Sequence, residues 1–219
     1  MSSINRAGFA TALILLALGI SSELPGRASD STQPAISMEE VSLWSGTQAM
    51  SDIGTQLSFG VRSINTPGHE RVVDFIKSEL AKTPALVLTQ PGVFLGTDAK
   101  IHPLTNIIGR FDPDNPTRII VGTHYDSIVR AYADPLKPNA PMPGANNSAS
   151  GVAVLLETIR VLSSIKQRPA IGIDFVFFDG EEGPLALGAG DPHWKALGSP
   201  YFVSRLNNIY PASKPLSTR

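Results

Sequence analysis

Apolar residues recur at four-residue steps in several parts of the chain, which predicts amphipathic helices. This spacing covers residues 49–57, 72–80 and 150–165, and a shorter helix is predicted over residues 200–208. Thr66 precedes the second of these helices, where its hydroxyl can cap the first turn. The chain is therefore expected to contain several helices of ordinary globular length.

Short apolar runs of strand length lie between the predicted helices. They occupy residues 85–89, 104–111, 118–125 and 171–178. The second and third runs are joined by residues 112–116, which are rich in Asp, Asn and Pro, so they are predicted to form a hairpin. The last run is almost continuously apolar, as strands covered on both faces are.

The order of these elements predicts the fold class. A strand at 118–125, a helix at 150–165 and a strand at 171–178 form a crossover between parallel strands. Together with the hairpin, this predicts an α/β fold with an open, twisted, mixed sheet flanked by helices on both faces.

The first 28 residues have the pattern of an export signal. A short segment containing Arg6 is followed by 14 mainly apolar residues, 7–20, and then by the small residues Gly26 and Ala28. Fourteen residues are few for a membrane span, which needs about 20. We therefore predict an exported protein, periplasmic or secreted, that meets the membrane only through this signal and whose folded part starts near Pro34.

Composition narrows the possible chemistry. The chain has 18 Lys and Arg against 19 Asp and Glu, a balance that argues against nucleic-acid binding. It has no cysteine, so disulfides, thiolate nucleophiles and Cys-bound zinc are excluded. A metal would have to be held by His, Asp, Glu or weaker oxygen donors. Nothing in the sequence specifies an oligomeric state.

Polar side chains follow two of the predicted strands. His124 and Asp126 come at the end of one parallel strand, and Glu181 and Glu182 follow the other. Ligands of open α/β sheets bind beyond the carboxyl ends of the strands, so these side chains are expected to meet. The polar loop 143–151 leads into the crossover helix and is expected to overhang the same place.

The residue types predict a metal site. Glu182 is expected to bind the metal and Glu181 to carry a proton, while Asp126 orients the imidazole of His124. Taken separately, a His-x-Asp pair is often only a hydrogen-bonded pair, and two adjacent Glu residues are often a solvated turn. It is their expected convergence that favours a zinc-like site.

Four ordered motifs resemble the co-catalytic zinc aminopeptidases and their relatives, the glutaminyl cyclases. They are residues 119–127, 143–153, 177–182 and 197–201, within a resemblance that spans about residues 45–215. The cyclase branch looks closer, because of the segment 104–108, the Asp-Gly-Glu-Glu form of the third motif and a Trp-bearing insertion before the fourth.

The resemblance implies one zinc ion and peptide or protein N-termini as substrates. In the cyclase branch, Glu182 binds zinc and Glu181 moves a proton while an N-terminal glutamine closes to pyroglutamate and releases ammonia. In the aminopeptidase branch, Glu181 would activate water and His124 would bind a second zinc. Trp194 is expected to line the substrate pocket, by analogy with the aromatic wall of the cyclases.

Two departures from the family pattern bear on function. Asn147 stands where the family has a ligand Asp, and its amide oxygen is neutral. The sequence stops at Arg219, where the family continues with further strands and a late His ligand. His193 is the only histidine after Glu182, and we interpret it as part of a loop and not as that ligand. Residues 34–219 are thus expected to form a partial domain without the C-terminal strands and with an unpaired apolar sheet edge.

Two other hypotheses about function stay open: a zinc aminopeptidase, and a non-catalytic remnant of the same fold. A serine hydrolase is disfavoured because Ser148 and Ser150 lack the Gly-x-Ser-x-Gly context of a nucleophile elbow.

Overall fold

A four-stranded mixed sheet forms the centre of the computed structural model, which describes residues 38–166, 168–182 and 194–210. The strands lie in the order β1-β2-β4-β3. The pairs β1–β2 and β2–β4 are antiparallel, whereas β3–β4 is parallel, as the predicted crossover requires. The strand bounds are β1 Leu86–Leu95, β2 Ile101–Phe111, β3 Arg118–His124 and β4 Gly172–Phe178.

Six α-helices accompany the sheet in the described part of the chain. Ser45 caps α2 through the backbone N–H of Gln48, and Thr66 caps α3 through that of His69, as its position predicted. The predicted final helix is divided into α5 and α6. The bounds are α1 Met38–Val41, α2 Gly46–Ser58, α3 Pro67–Ala81, α4 Gly151–Ser164, α5 Gly198–Ser204 and α6 Leu206–Ile209.

The helices cover both faces of the sheet, as the fold-class prediction stated. Side chains alternate along a strand, so Phe175 and Phe177 of β4 pack with α3 and α4 on one face. Val176 lies between them and packs on the other face with Ile108 of β2 and Phe202 of α5. All these side chains are buried, so β4 is packed against other elements on both of its faces.

The predicted hairpin between β2 and β3 is wrong. The chain does turn at residues 112–116, but β4 lies between the two strands: Phe111 of β2 and Ile119 of β3 both pair with Ile173. Asp174, the next residue of β4, is fully buried and forms ion pairs with Arg110 and Arg118. These contacts from both neighbouring strands favour the central position of β4.

β3 forms one edge of the sheet. In the described residues no further strand pairs with it, and its Ile119, Ile120 and Val121 are between 38% and 48% exposed. None of the helices in the described ranges is both long and apolar enough to span a membrane. The predicted export signal and His193 lie outside the described residues.

Candidate active site

Three chain segments converge beyond the carboxyl ends of β3 and β4. β3 ends at His124, the turn Ala145–Ser150 carries Asn147, and Glu181 and Glu182 follow β4. Gly144 starts the turn with a φ of 64°, a conformation that favours glycine. The structure therefore brings together the side chains that the sequence predicted to meet.

Asp126 holds the acidic pair in place. Its Oδ1 accepts the backbone N–H of Glu181 at 3.1 Å, and its Oδ2 accepts that of Glu182 at 2.9 Å. The same Oδ1 lies 3.2 Å from Nδ1 of His124, the contact expected of a carboxylate that orients an imidazole. Because Asp126 is fully buried, these hydrogen bonds form away from competing water.

The Asn147 side chain bridges His124 and Glu182. Its Oδ1 lies 2.6 Å from Nε2 of His124, and its Nδ2 donates a hydrogen bond to Oε1 of Glu182. A side-chain amide carries both an acceptor oxygen and a donor NH2 group, so it satisfies an imidazole N–H and a carboxylate at once. An Asp at this position would instead place a second negative charge beside Glu182.

The electrostatics of the cluster follow from these contacts. Burial lowers the pKa of His124, but the hydrogen bond and charge of Asp126 outweigh burial, so its pKa is raised. Burial raises the pKa of Glu182, and the neighbouring charge of Glu181 raises it further. A cation placed among these groups would relieve the repulsion between the two carboxylates.

The donor set fits a zinc ion. His124, Glu181 and Glu182 each offer one ligand atom, and these atoms lie within 4.8 Å of one another. Imidazole nitrogen and carboxylate oxygen are ordinary zinc ligands. The amide oxygen of Asn147 adjoins this set as a weaker donor.

Trp194 lies beside the acidic pair. Its indole N–H donates a hydrogen bond of 3.0 Å to the backbone carbonyl of Glu181. The ring packs against Ile64 and Leu104. This position is compatible with a wall of the substrate pocket, and that role stays a prediction.

Comparison with known proteins identifies the family. The sequence profile of Peptidase family M28 matches residues 106–215, about half of the chain. The chain belongs to peptidase family M28.

The relatives of this M28 chain include both hydrolases and cyclases. A Zn-dependent exopeptidase from Parabacteroides distasonis is 33% identical, with a TM-score of 0.64, covering 73% of this chain and 55% of that one. The glutaminyl cyclase of Tannerella forsythia is also 33% identical, with a TM-score of 0.65 and coverage of 73% and 55%. A probable leucine aminopeptidase of Trichophyton verrucosum is 30% identical over 146 residues, which are 62% of this chain and 36% of that protein.

These findings confirm the predicted family and the α/β fold. The M28 chain spans about half the length of the solved relatives and roughly a third of several curated ones. The Zn-dependent relative supports the predicted zinc. The relatives include both an aminopeptidase and a glutaminyl cyclase, and both kinds of enzyme act on peptides. Membership of M28 therefore does not specify the reaction.

Arg62 is a site-supporting residue that the sequence analysis missed. It is fully buried and donates hydrogen bonds to the carbonyls of Tyr125, Pro143 and Gly144, while its backbone N–H donates to Oγ of Ser127. Burial lowers its pKa to about 10, although the charge of Asp126 acts in the opposite direction. Arg62 thus fixes the end of β3 and the start of the Asn147 turn. The available signal was a lone arginine between two predicted helices.

A His–Asp pair, also missed, supports the other side of the acidic pair; Asp179 is buried and His69 is partly buried. Nε2 of His69 lies 2.8 Å from Oδ1 of Asp179, and Oδ2 of Asp179 accepts the backbone N–H of Thr105 at 2.9 Å. Burial lowers the pKa of His69, but Asp179 outweighs burial and raises it. The pair anchors the residue from which the Gly180–Glu182 turn begins.

Proposed function

We propose that this M28 chain is a zinc-dependent glutaminyl-peptide cyclotransferase, which converts an N-terminal glutamine to pyroglutamate and releases ammonia. The observation that carries the proposal is that both ring nitrogens of His124 are already engaged: Nδ1 lies 3.2 Å from Oδ1 of Asp126, and Nε2 lies 2.6 Å from Oδ1 of Asn147. In a two-metal hydrolase His124 would bind the second zinc, which requires a free lone pair on one of its ring nitrogens. Here both ring nitrogens of His124 face oxygen acceptors, which favours a site with one metal.

In this proposal Glu182 is the main zinc ligand among the described residues, and Oδ1 of Asn147 is a weaker neighbouring donor. Zinc, when bound, supplies a Lewis acid that polarises the side-chain carbonyl of the substrate glutamine. Of the three donors whose atoms lie within 4.8 Å of one another, the proposal gives the ligand position to Glu182. It leaves Glu181 free for proton transfer and keeps His124 hydrogen-bonded to Asp126 and Asn147.

Glu181 is proposed as the proton carrier. Its side chain is about half exposed, and its Oε2 lies 3.9 Å from Nε2 of His124, so one carboxylate oxygen is open to substrate. The substrate α-amine forms a bond to the side-chain carbonyl carbon, and the bond from that carbon to the amide nitrogen breaks. Glu181 accepts the proton that the amine loses and delivers it to the departing nitrogen, which leaves as ammonia.

Ring closure also requires that amine and amide be held together and that water be kept away. Trp194 supports this requirement because its indole is hydrogen-bonded to the backbone of Glu181 and so lies beside the proposed proton carrier. Export to the periplasm or outside the cell belongs to the same proposal, since the substrates would be the N-termini of exported peptides.

A zinc aminopeptidase is the second candidate. The close approach of His124, Glu181 and Glu182 favours it, because these donors could hold another ion if His124 gave up its contact with Asn147. In that case Glu181 would deprotonate a water molecule, and the products would be free amino acids.

Metal content and product chemistry test the proposal. Purified protein is expected to hold about one zinc, and Glu182→Ala is expected to lose it while the exposed Glu39→Ala retains it. Glu181→Gln should keep zinc and lose turnover. Peptides that begin with Gln should release ammonia. Release of free amino acids would favour the aminopeptidase, and a folded protein that binds no zinc would favour the non-catalytic remnant.

A further inference from the structure

The outer end of the β1–β2 hairpin exposes an apolar face. Side chains alternate along a strand, so Val93 and Leu95 lie on the same side of the sheet as Val87, and Ile101 lies on the same side as Ile107. Val87 and Ile107 pack in the core with α3. In contrast, Val93, Leu95 and Ile101 are 64%, 69% and 65% exposed, so no described residue covers them. We call this surface the hairpin face; it consists of Pro91, Val93, Leu95, Ile101 and Pro103.

Helix α3 borders the hairpin face, and the two enclose a notch. The notch has a volume of about 400 Å³; Pro103 lines it from the sheet, and Glu70 and Asp74 line it from α3. Neither of these exposed carboxylates forms an ion pair with a residue in the described ranges, and no lysine or arginine lines the notch. His69 also lines it, with its Nε2 2.8 Å from Asp179. The wall on α3 is therefore acidic.

The tip of the hairpin, residues 96–100, carries a positive charge. Lys100 is exposed and forms no ion pair with any residue that the structure describes. The tip has a fixed shape, because the backbone N–H of Gly96 donates to the carbonyl of Lys100 at 2.8 Å. Asp98, the one carboxylate of the tip, lies 2.8 Å from Nε2 of His102, which belongs to the opposite side of the hairpin. The apolar face thus has a cation at one end and an acidic wall at the other.

This arrangement is complementary to a second copy of itself. In a dimer with a two-fold axis both copies use the same surface, so each contact occurs twice. Two hairpin faces stacked antiparallel would bring the tip of each copy to the notch of the other. Stacked sheets lie about 10 Å apart and a helix with its side chains is about 10–12 Å wide, so a second hairpin fits beside α3.

We propose that two copies of this chain associate through their hairpin faces, with Lys100 of each copy at Glu70 and Asp74 of the other. Pro91 favours stacking over pairing at the edge strand β1, because proline has no N–H to donate to a further strand. Each copy contributes only five apolar side chains, so the dimer is expected to be weak, with a dissociation constant on the order of 10 µM. Association of this kind requires neither zinc nor turnover.

Sedimentation velocity of the full chain at about 1–200 µM tests the dimer, because this range spans the expected dissociation constant. Wild type should change from monomer to dimer. Val93→Lys should stay monomeric, because the dimer would bury an ammonium group against apolar side chains. Ile120→Lys is the matched control: Ile120 is 48% exposed on the edge strand β3, and this variant should dimerise like wild type. Both variants should keep the wild-type midpoint of urea unfolding, since both positions are exposed.

Three results of this experiment would overturn the proposal. The first is a wild type that stays monomeric at the highest concentration. The second is association that persists in Val93→Lys. The third is loss of the dimer in Ile120→Lys, which would place the interface at the β3 edge.

Charge reversal tests the reciprocal contact. Lys100→Glu should weaken self-association about tenfold, and so should the double variant Glu70→Lys/Asp74→Lys, because each change turns two attractive contacts into repulsive ones. An equimolar mixture of the two variants should associate as tightly as wild type, since each altered tip then meets a wall of opposite charge. A mixture that associates no better than its separate components would refute the antiparallel arrangement.

Discussion

Asp126→Asn is the sharpest test of how the site is built, because one carboxylate serves both members of the acidic pair. Oδ1 accepts the backbone N–H of Glu181 and Oδ2 that of Glu182. An Asn has only one acceptor oxygen, so whichever way its amide turns, an NH2 group faces one of these N–H donors. A buried donor left without a partner costs about 1–3 kcal/mol, so the free energy of unfolding should fall by about that amount.

The same substitution should also weaken zinc binding. Loss of a group that orients metal ligands typically costs about 10- to 100-fold in metal affinity. The assay is zinc competition with a chromophoric chelator at neutral pH, with urea unfolding of the metal-free protein alongside. Asp98→Asn is the control, since Asp98 also contacts a histidine, His102, and a backbone N–H, that of Lys100, but lies away from the site. Unchanged zinc affinity in Asp126→Asn would refute the role given to Asp126.

Two further substitutions change a carboxylate, one at the site and one in the sheet. Asn147→Asp should raise zinc affinity about tenfold, or 1.4 kcal/mol, because it adds a carboxylate beside Glu182, and the same chelator competition would show it. Asp174→Asn should lower the free energy of urea unfolding by about 3–5 kcal/mol, since Arg110 and Arg118 lose a buried partner. Burial raises the pKa of Asp174, but its hydrogen bonds and ion pairs lower it more, so the stabilisation is present at neutral pH. The difference in the free energy of unfolding between wild type and Asp174→Asn should decrease as the pH falls below about 3.9 and through the lowered pKa of Asp174. A difference that does not change with pH would contradict the ion-pair explanation.

The elements of the fold could be predicted from the sequence better than their pairing. Periodicity located the main helices and strands, and the crossover predicted that β3 and β4 are parallel. The turn at residues 112–116 indicated only that the chain reverses, and a local signal of this kind does not specify which strands pair. The missing information was long-range: Asp174 in an otherwise apolar strand could have indicated partners on both sides, namely Arg110 and Arg118.

The candidate site could likewise be predicted only in part. The rule that ligand sites lie beyond strand carboxyl ends correctly predicted that His124, Asp126, Asn147 and the acidic pair would meet. It gave no reason to connect Arg62 with them, because that residue contacts backbone carbonyls, and any residue type has a backbone carbonyl. Supporting contacts of this kind depend on the packed tertiary structure and leave little trace in a single sequence.

Arg62 also ties the site to a distant part of the chain. Its hydrogen bond to Gly144 joins positions 82 residues apart and acts as a noncovalent cross-link between the segment before α3 and the site loop. A fragment that began after Arg62 would keep β3, β4, Glu181 and Glu182. The loop that carries Asn147 would nevertheless lose the hydrogen bonds with which Arg62 holds it to the rest of the fold. Attempts to reduce this fold to a minimal crossover unit would therefore have to supply a substitute for one guanidinium.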